Sequence, residues 1–228
     1  CEFLIFDETL INSITLADME GTLPIENTGQ VRWYKRPTPG HTYMVSLDPA
    51  MGTGGDFAAI QVFELPTFDQ VAEWHHNTTP MNHQVRILQG INKHIHDTIM
   101  EKDTTATPQI FYSMENNTIG EAALMRVMDI GEENIQGMFL SEPIRKGHRR
   151  KFRRGFNTTA KFKIDACTKF KELVEAGKMK ICSQLLISEL KDFVATGMSY
   201  KAKPGQHDDL VSACLLMTRM MKVLADFD

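Results

Sequence analysis

The order in which hydrophobic periodicities change along this chain constrains its fold more than any other feature. Three strand-like segments follow one another directly, at Tyr43–Asp48, Phe57–Leu65 and Gln70–His76. The period then switches: Val85, Leu88, Ile91, Ile95 and Ile99 recur at steps of three and four, predicting an amphipathic helix over Asn82–Lys102. A strand at Gln109–Met114 and a helix from an Asn117 cap to Asp129, stopped by Gly131, come next. Ile135–Leu140 reads as a further strand, and Thr158 or Thr159 caps a helix through Glu175. A short strand at Met179–Ile181, a helix over Ser183–Leu190 and an extended pair over Phe193–Lys203 precede the last helix. That helix begins at Asp208-Asp209, with Leu210, Cys214, Met217, Met221 and Leu224 on its buried face. Consecutive strands can pair as an antiparallel meander, whereas strand–helix–strand crossovers impose parallel pairing. The expected fold is therefore α/β, a mixed central sheet flanked by helices.

That combination is the ribonuclease H-like layout, and it is expected over residues 41–228. Residues 1–40, with Gly21, Pro24, Gly29, Pro37, Pro39 and Gly40, read as a linker or the tail of a preceding domain. Opening on Cys1 rather than Met, the chain is expected to be a piece of something longer. With 42% apolar and 24% charged residues it has the balance of a globular protein rather than a disordered one. No apolar run approaches the roughly 20 residues of a membrane helix. The longest candidate, Leu210–Leu224, is broken by Arg219 and Lys222, so no membrane partner is expected. Cys1, Cys167, Cys182 and Cys214 form no Cys-x-x-Cys pair and read as reduced thiols.

The net charge of −4 is unevenly distributed. Between Pro143 and Ile164 there is no acid, but there are nine of the 25 bases: Arg145, Lys146, Arg149, Arg150, Lys151, Arg153, Arg154, Lys161 and Lys163. The remainder carries 16 bases against 29 acids, a net of −13. A segregated basic cluster is what binding to DNA phosphates requires; a solvated loop that keeps an acidic body soluble has the same composition.

Three acids stand at element boundaries: Asp48 ends the first strand, Glu115 ends the fourth, and Asp209 opens the final helix. In mixed α/β sheets such positions converge on one rim. Clustered carboxylates repel, a divalent cation removes that cost, and oxygen-only ligands favour Mg²⁺ or Mn²⁺ over zinc. Two such ions can activate a water and stabilise the leaving oxygen of a phosphodiester. Singly, each acid has a plainer explanation: Asp48 as a turn starter before Pro49, Glu115 as a solvated strand end, Asp208 and Asp209 as helix-start residues. Asp56 and Asp208 could each assist a metal, and His207 could shuttle a proton.

Leu47-Asp48-Pro49-Ala50-Met51-Gly52 with Gly54, Gly55 and Asp56, then Met114-Glu115-Asn116-Asn117 and His207-Asp208-Asp209-Leu210-Val211, resemble the nuclease domain of the large terminase subunit of myovirus-type tailed bacteriophages. Gly155-Phe156-Asn157-Thr158-Thr159-Ala160-Lys161, with Cys167, Phe170 and Gly177-Lys178, is similar to a further segment of that family. The resemblance implies catalytic and metal-binding acids at Asp48, Glu115 and Asp209. It implies endonucleolytic cutting of concatemeric double-stranded viral DNA at the start and end of genome packaging, with two Mg²⁺ or Mn²⁺ ions. It also implies an ATPase domain preceding this chain, portal protein and small terminase subunit as partners, and work in the infected host's cytoplasm at the procapsid portal. No Gly-x-x-x-x-Gly-Lys-Ser/Thr loop occurs, so no ATP site is expected within the chain itself.

A Holliday-junction resolvase or ribonuclease H-type nuclease would share the chemistry. An actin-like or sugar-kinase phosphotransferase would explain Asp48 before Gly52-Thr53-Gly54, but needs a duplicated domain and a second phosphate turn. A non-catalytic DNA-binding module explains the charge segregation but not three acids at rim positions.

Overall fold

The computed structural model describes residues 8–143 and 154–226. A short helix α1 (Ser13–Asp18) and strands β1 (Glu26–Thr28) and β2 (Val31–Trp33) precede the meander of β3 (Thr42–Asp48), β4 (Ala58–Leu65) and β5 (Gln70–His76). Helix α2 (Met81–Lys102), strand β6 (Gln109–Met114), helix α3 (Thr118–Ile130) and strand β7 (Met138–Phe139) make the alternating part. Helices α4 (Ala160–Glu175) and α5 (Gln184–Lys191), the hairpin β8 (Phe193–Thr196) and β9 (Ser199–Ala202), and helix α6 (Asp209–Ala225) follow. The main sheet has the order β1-β2-β5-β4-β3-β6-β7. It is antiparallel from β1 to β3 and parallel from β3 through β6 to β7. This is the mixed, ribonuclease H-like sheet that the element order predicts.

Side-chain parity assigns the two faces, because successive strand residues point to opposite sides. Tyr43, Val45 and Leu47 of β3, with Ile110, Tyr112 and Met114 of β6, share one core with the apolar stripe of α2 and with Ala123 and Val127 of α3. Met44 of β3 and Phe111 of β6 face the other core, built from α4, α5 and α6. Ser46 faces that side too, and its hydroxyl donates to the Ala213 carbonyl of α6 at 2.7 Å. Helix α6 lies between β3 and β4 on one side and α4 and α5 on the other. That position explains why it is apolar almost all round. Each large apolar side chain buried here, such as Phe63, Phe170 or Leu186, contributes about 1.5–3 kcal/mol by leaving water.

The stretch from 8 to 40, expected as a linker or the tail of a preceding domain, packs on the sheet: β2 pairs with β5, and Val31 and Trp33 are buried. Leu10, Ile11 and Leu16 enter the opposite core. Two buried glutamates fasten this stretch. Glu73 accepts from Arg32 at 2.6 Å, Gln61 at 2.8 Å and Ser183 at 2.6 Å, while Glu64 meets Lys35, His41 and the Tyr43 hydroxyl. The strand expected over Ile135–Leu140 shrinks to Met138–Phe139, because Gly137 (φ 99°) takes a left-handed turn that extended residues cannot. Met179–Ile181 forms no strand. Lys178 and Met179 instead close the end of α4 by donating to Leu173, and Lys180 alone bridges to Asp69.

Candidate active site

The parity that fills the second core also delivers two acids to one place. Asp48 and Glu115 continue the register of Met44 and Phe111 and emerge together at the ends of adjacent parallel strands, where Glu115 N donates to Leu47 O at 3.4 Å. Beyond β6 the chain at 154–156 acts as a short neighbouring strand. Asn116 N donates to Phe156 O at 2.6 Å, Phe156 N to Met114 O at 3.2 Å, and Asn116 Nδ2 to Arg154 O at 2.8 Å. Two glycines permit this crowding. A Cβ on Gly120 would stand 1.7 Å from the Glu115 carbonyl, and one on Gly155 (φ 82°) would stand 2.6 Å from that of Met114. Asn117 then caps α3 by accepting from Gly120 N at 2.7 Å, which fixes the turn carrying Glu115.

Asp209, the first residue of α6, reaches the same rim from the helix side. Its carboxylate accepts from the Phe57 backbone N–H, with the imidazole of His207 3.6 Å away. Phe57 stacks on His75 at 4.9 Å and meets His207 edge-on at 5.1 Å, holding the turn before α6 against the start of β4. Asp208 occupies the cap position of α6 but does not cap it; its carboxylate accepts from Ala202 N at 3.0 Å and ties down the hairpin. Asp56 is exposed and near enough to Asp209 to repel it.

The electrostatics record this convergence. Asp48 is half-buried and lines a cleft. Burial first, then repulsion by and hydrogen-bond contact with Glu115, then the charges of Asp209 and Asp208 push its carboxyl well above the ordinary range. Asp209 is pushed up to about 6, by burial first and by Asp208 and Asp56, against the opposing Phe57 N–H and His207. This all-oxygen donor set, whose charges repel, fits a hard divalent cation that would relieve the repulsion. Among the described residues, no group of three or more His, Cys, Asp or Glu side chains is arranged so that it could hold a metal ion by itself. The acids form an open cluster.

A cleft of 130 Å³ is lined by Asp48 and Glu115 together with Thr158, Lys163, Ser212 and Arg219. Arg219 was visible in the sequence only as an interruption of an apolar run. In the fold its guanidinium is nearly buried, donating to Glu142 at 2.9 Å and to the Asn157 carbonyl at 3.1 Å between the rings of Phe156 and Phe162. A lone arginine in a helix otherwise buried all round was the signal that could have marked it. Glu189 of α5 carries no sequence signal of this kind. It is half-buried against the start of α6, accepts from Val211 N at 3.1 Å, and is pushed up to about 9, chiefly by desolvation.

The basic segment is only partly within view. Arg145, Lys146, Arg149, Arg150, Lys151 and Arg153 lie outside the described residues. Arg154 is engaged internally, paired with Glu132 and lying 5.0 Å above the Phe139 ring. Lys161 is exposed at the start of α4, and Lys163 lines the cleft.

Residues 45–220 match the family described as the Terminase RNaseH-like domain. Among solved structures, the chain is similar to the large terminase nuclease of thermophilic phage G20c with bound magnesium, at 17% identity and a TM-score of 0.68, over 93% of this chain and 97% of that one. It is similar to the large terminase nuclease domain of Thermus phage P74-26, at 18% and 0.62 over 90% and 94%. It is also similar to the terminase nuclease domain of human cytomegalovirus, soaked with manganese and inhibitor-bound, at 14% and 0.56 over 92% and 94%. At these identities the likenesses speak for the fold, and they agree with the sheet order and the helical layers. The family match spans most of the chain and includes all three converging acids: this protein belongs to the terminase ribonuclease H-like domain family.

Proposed function

We propose that this domain is a metal-dependent endonuclease that cuts concatemeric double-stranded viral DNA when genome packaging begins and ends. The observation that carries the reading is the contact between Asp48 and Glu115 at adjacent strand ends, with Asp209 beside them at a helix start. Asp48, Glu115 and Asp209 would hold Mg²⁺ or Mn²⁺, two ions in the working enzyme, with Asp56 and Asp208 at the margin. The G20c nuclease with bound magnesium, cobalt or zinc and the manganese-soaked cytomegalovirus nuclease support a divalent cation, and the all-oxygen donor set favours Mg²⁺ or Mn²⁺. Bound there, the ions supply an activated water and charge stabilisation for the leaving oxygen. The chain's own residues do the rest. The two strand ends and the α6 start fix the acids on one rim, and the Phe57 N–H orients the Asp209 carboxylate. His207, beside Asp209, is placed to take or return a proton at its ring nitrogen.

The basic residues from Arg145 to Lys163 would bind phosphates rather than bases, giving affinity without sequence preference. The family membership supports a wider setting: an ATPase domain preceding this one, portal protein and small terminase subunit as partners, at the procapsid portal in the host cytoplasm. Among the described residues, no helix is long and apolar enough to cross a membrane.

The test is cleavage of plasmid, four-way junction and RNA–DNA hybrid in Mg²⁺ and Mn²⁺. Linear and supercoiled duplex should be cut, and EDTA should stop cutting without unfolding the protein. Asp48→Asn, Glu115→Gln and Asp209→Asn should each abolish cleavage, since each removes stabilisation worth about several kcal/mol in the transition state. Near wild-type cutting by Glu115→Gln refutes the site. A preference for the junction or the hybrid refutes the packaging role.

A further inference from the structure

The cleft at Asp48 and Glu115 is lined by groups of opposite charge. The acids are explained by metal; Lys163, Thr158 and Ser212 are not. A lysine and an arginine beside a site for divalent cations are electrostatically unfavourable unless an anion is bound together with the metal. Arg219 already has acceptors, in Glu142 and the Asn157 carbonyl. Lys163 differs. Among the described residues no carboxylate pairs with it, including Asp48 and Glu115 in the same cleft. Its ammonium stands 5.9 Å above the ring of Phe193, a contact that supports the chain from beneath without satisfying its hydrogen-bond donors. The hydroxyl of Ser212 lines the same cleft from α6, one turn on from Asp209, and Thr158 lines it just ahead of α4. Two acids, an ammonium with no carboxylate partner among the described residues and two hydroxyl residues around one cleft suit a group that binds metal through some oxygens and an ammonium through others. A phosphodiester does both.

Resting on the nuclease reading above, we propose that Lys163 is a substrate-contacting residue. It grips a non-bridging oxygen of the cleaved strand's phosphate, with Ser212 and Thr158 as hydroxyl partners. Arg219 is the positioning residue of this cleft, holding the chain at 157–158 against α6.

Two measurements on wild type, Lys163→Met and Lys163→Arg test this. In EDTA, anisotropy titrations of a fluorescent duplex at several salt concentrations should show the salt slope of Lys163→Met reduced by about 0.9, the value for one phosphate contact, with Lys163→Arg near wild type. With saturating duplex and Mn²⁺, single-turnover cleavage by Lys163→Met should fall at least tenfold and be partly restored in Lys163→Arg. The melting shift produced by Mn²⁺ should stay as in wild type, because the metal ligands are untouched. An unchanged salt slope together with cleavage within twofold of wild type overturns the proposal and leaves the nuclease reading intact. Failure of wild type itself to cut would overturn the nuclease reading, and the salt slope in EDTA would still decide whether Lys163 meets a phosphate.

Discussion

At the scale of single residues, the chemistry follows from where acids are placed and how far they are buried. Asp48, Glu115 and Asp209 were legible in the sequence because each sits at an element boundary, and strand parity then puts the first two on one face. Asp208 shows where that reasoning stops: its helix-start position predicts a cap, yet its carboxylate serves the hairpin through Ala202 N. No local pattern encodes a partner that arrives from another element. Glu189 makes the same point and yields a prediction. Its carboxyl is raised from 4.5 to about 9, first by burial and then by Asp209, Glu73 and Asp208, against the Val211 N–H. A carboxyl raised on folding stabilises fully below its unfolded value, and that stability is lost progressively as pH rises toward the folded value. The melting temperature should therefore fall between about pH 5 and 9 more steeply in wild type than in Glu189→Gln, which keeps the shape and cannot ionise. Parallel curves for the two proteins in differential scanning fluorimetry would mean that Glu189 is charged in the native state.

At the scale of elements, the long periodic segments were the readable ones. Helix α2 and strands β3 to β6 carry their own pattern, so the meander and the first crossovers could be placed from sequence alone. The stretch before residue 41 could not. Its glycines and prolines read as a linker, while the two-residue steps of Val31 and Trp33 are too short to register as a strand. Its attachment is long-range, through buried Val31 and Trp33 and through the pairs Arg32 to Glu73 and Lys35 to Glu64. Cutting the chain at residue 41 should therefore give a protein that aggregates or melts far earlier. Arg32→Ala is the milder form of the same test. Glu73 is fully buried and keeps Gln61, Gln70 and Ser183 as donors. The loss should lie near the low end for a broken buried pair, about 3 kcal/mol, or roughly 10 °C in melting temperature. A truncated protein that melts as the full chain does would restore the linker reading.

At the scale of the whole molecule, the sheet is a device for bringing remote residues to one rim. Asp48, Glu115 and Asp209 are separated by long stretches of chain, and they meet because β3 and β6 are parallel neighbours and α6 packs across both β3 and β4. The charge segregation in the sequence fits the same picture, with an acidic body, a basic segment between β7 and α4, and Lys163 carrying the basic end of that segment into the cleft. The central claim is that the three acids form a divalent-metal centre. Crystals grown with Mn²⁺, with diffraction recorded at the manganese absorption edge, test it most directly. The account predicts anomalous peaks within coordination distance of the Asp48, Glu115 and Asp209 carboxylates, lost or displaced in Glu115→Gln. Manganese bound elsewhere, with the Asp48–Glu115 contact unchanged, would contradict it.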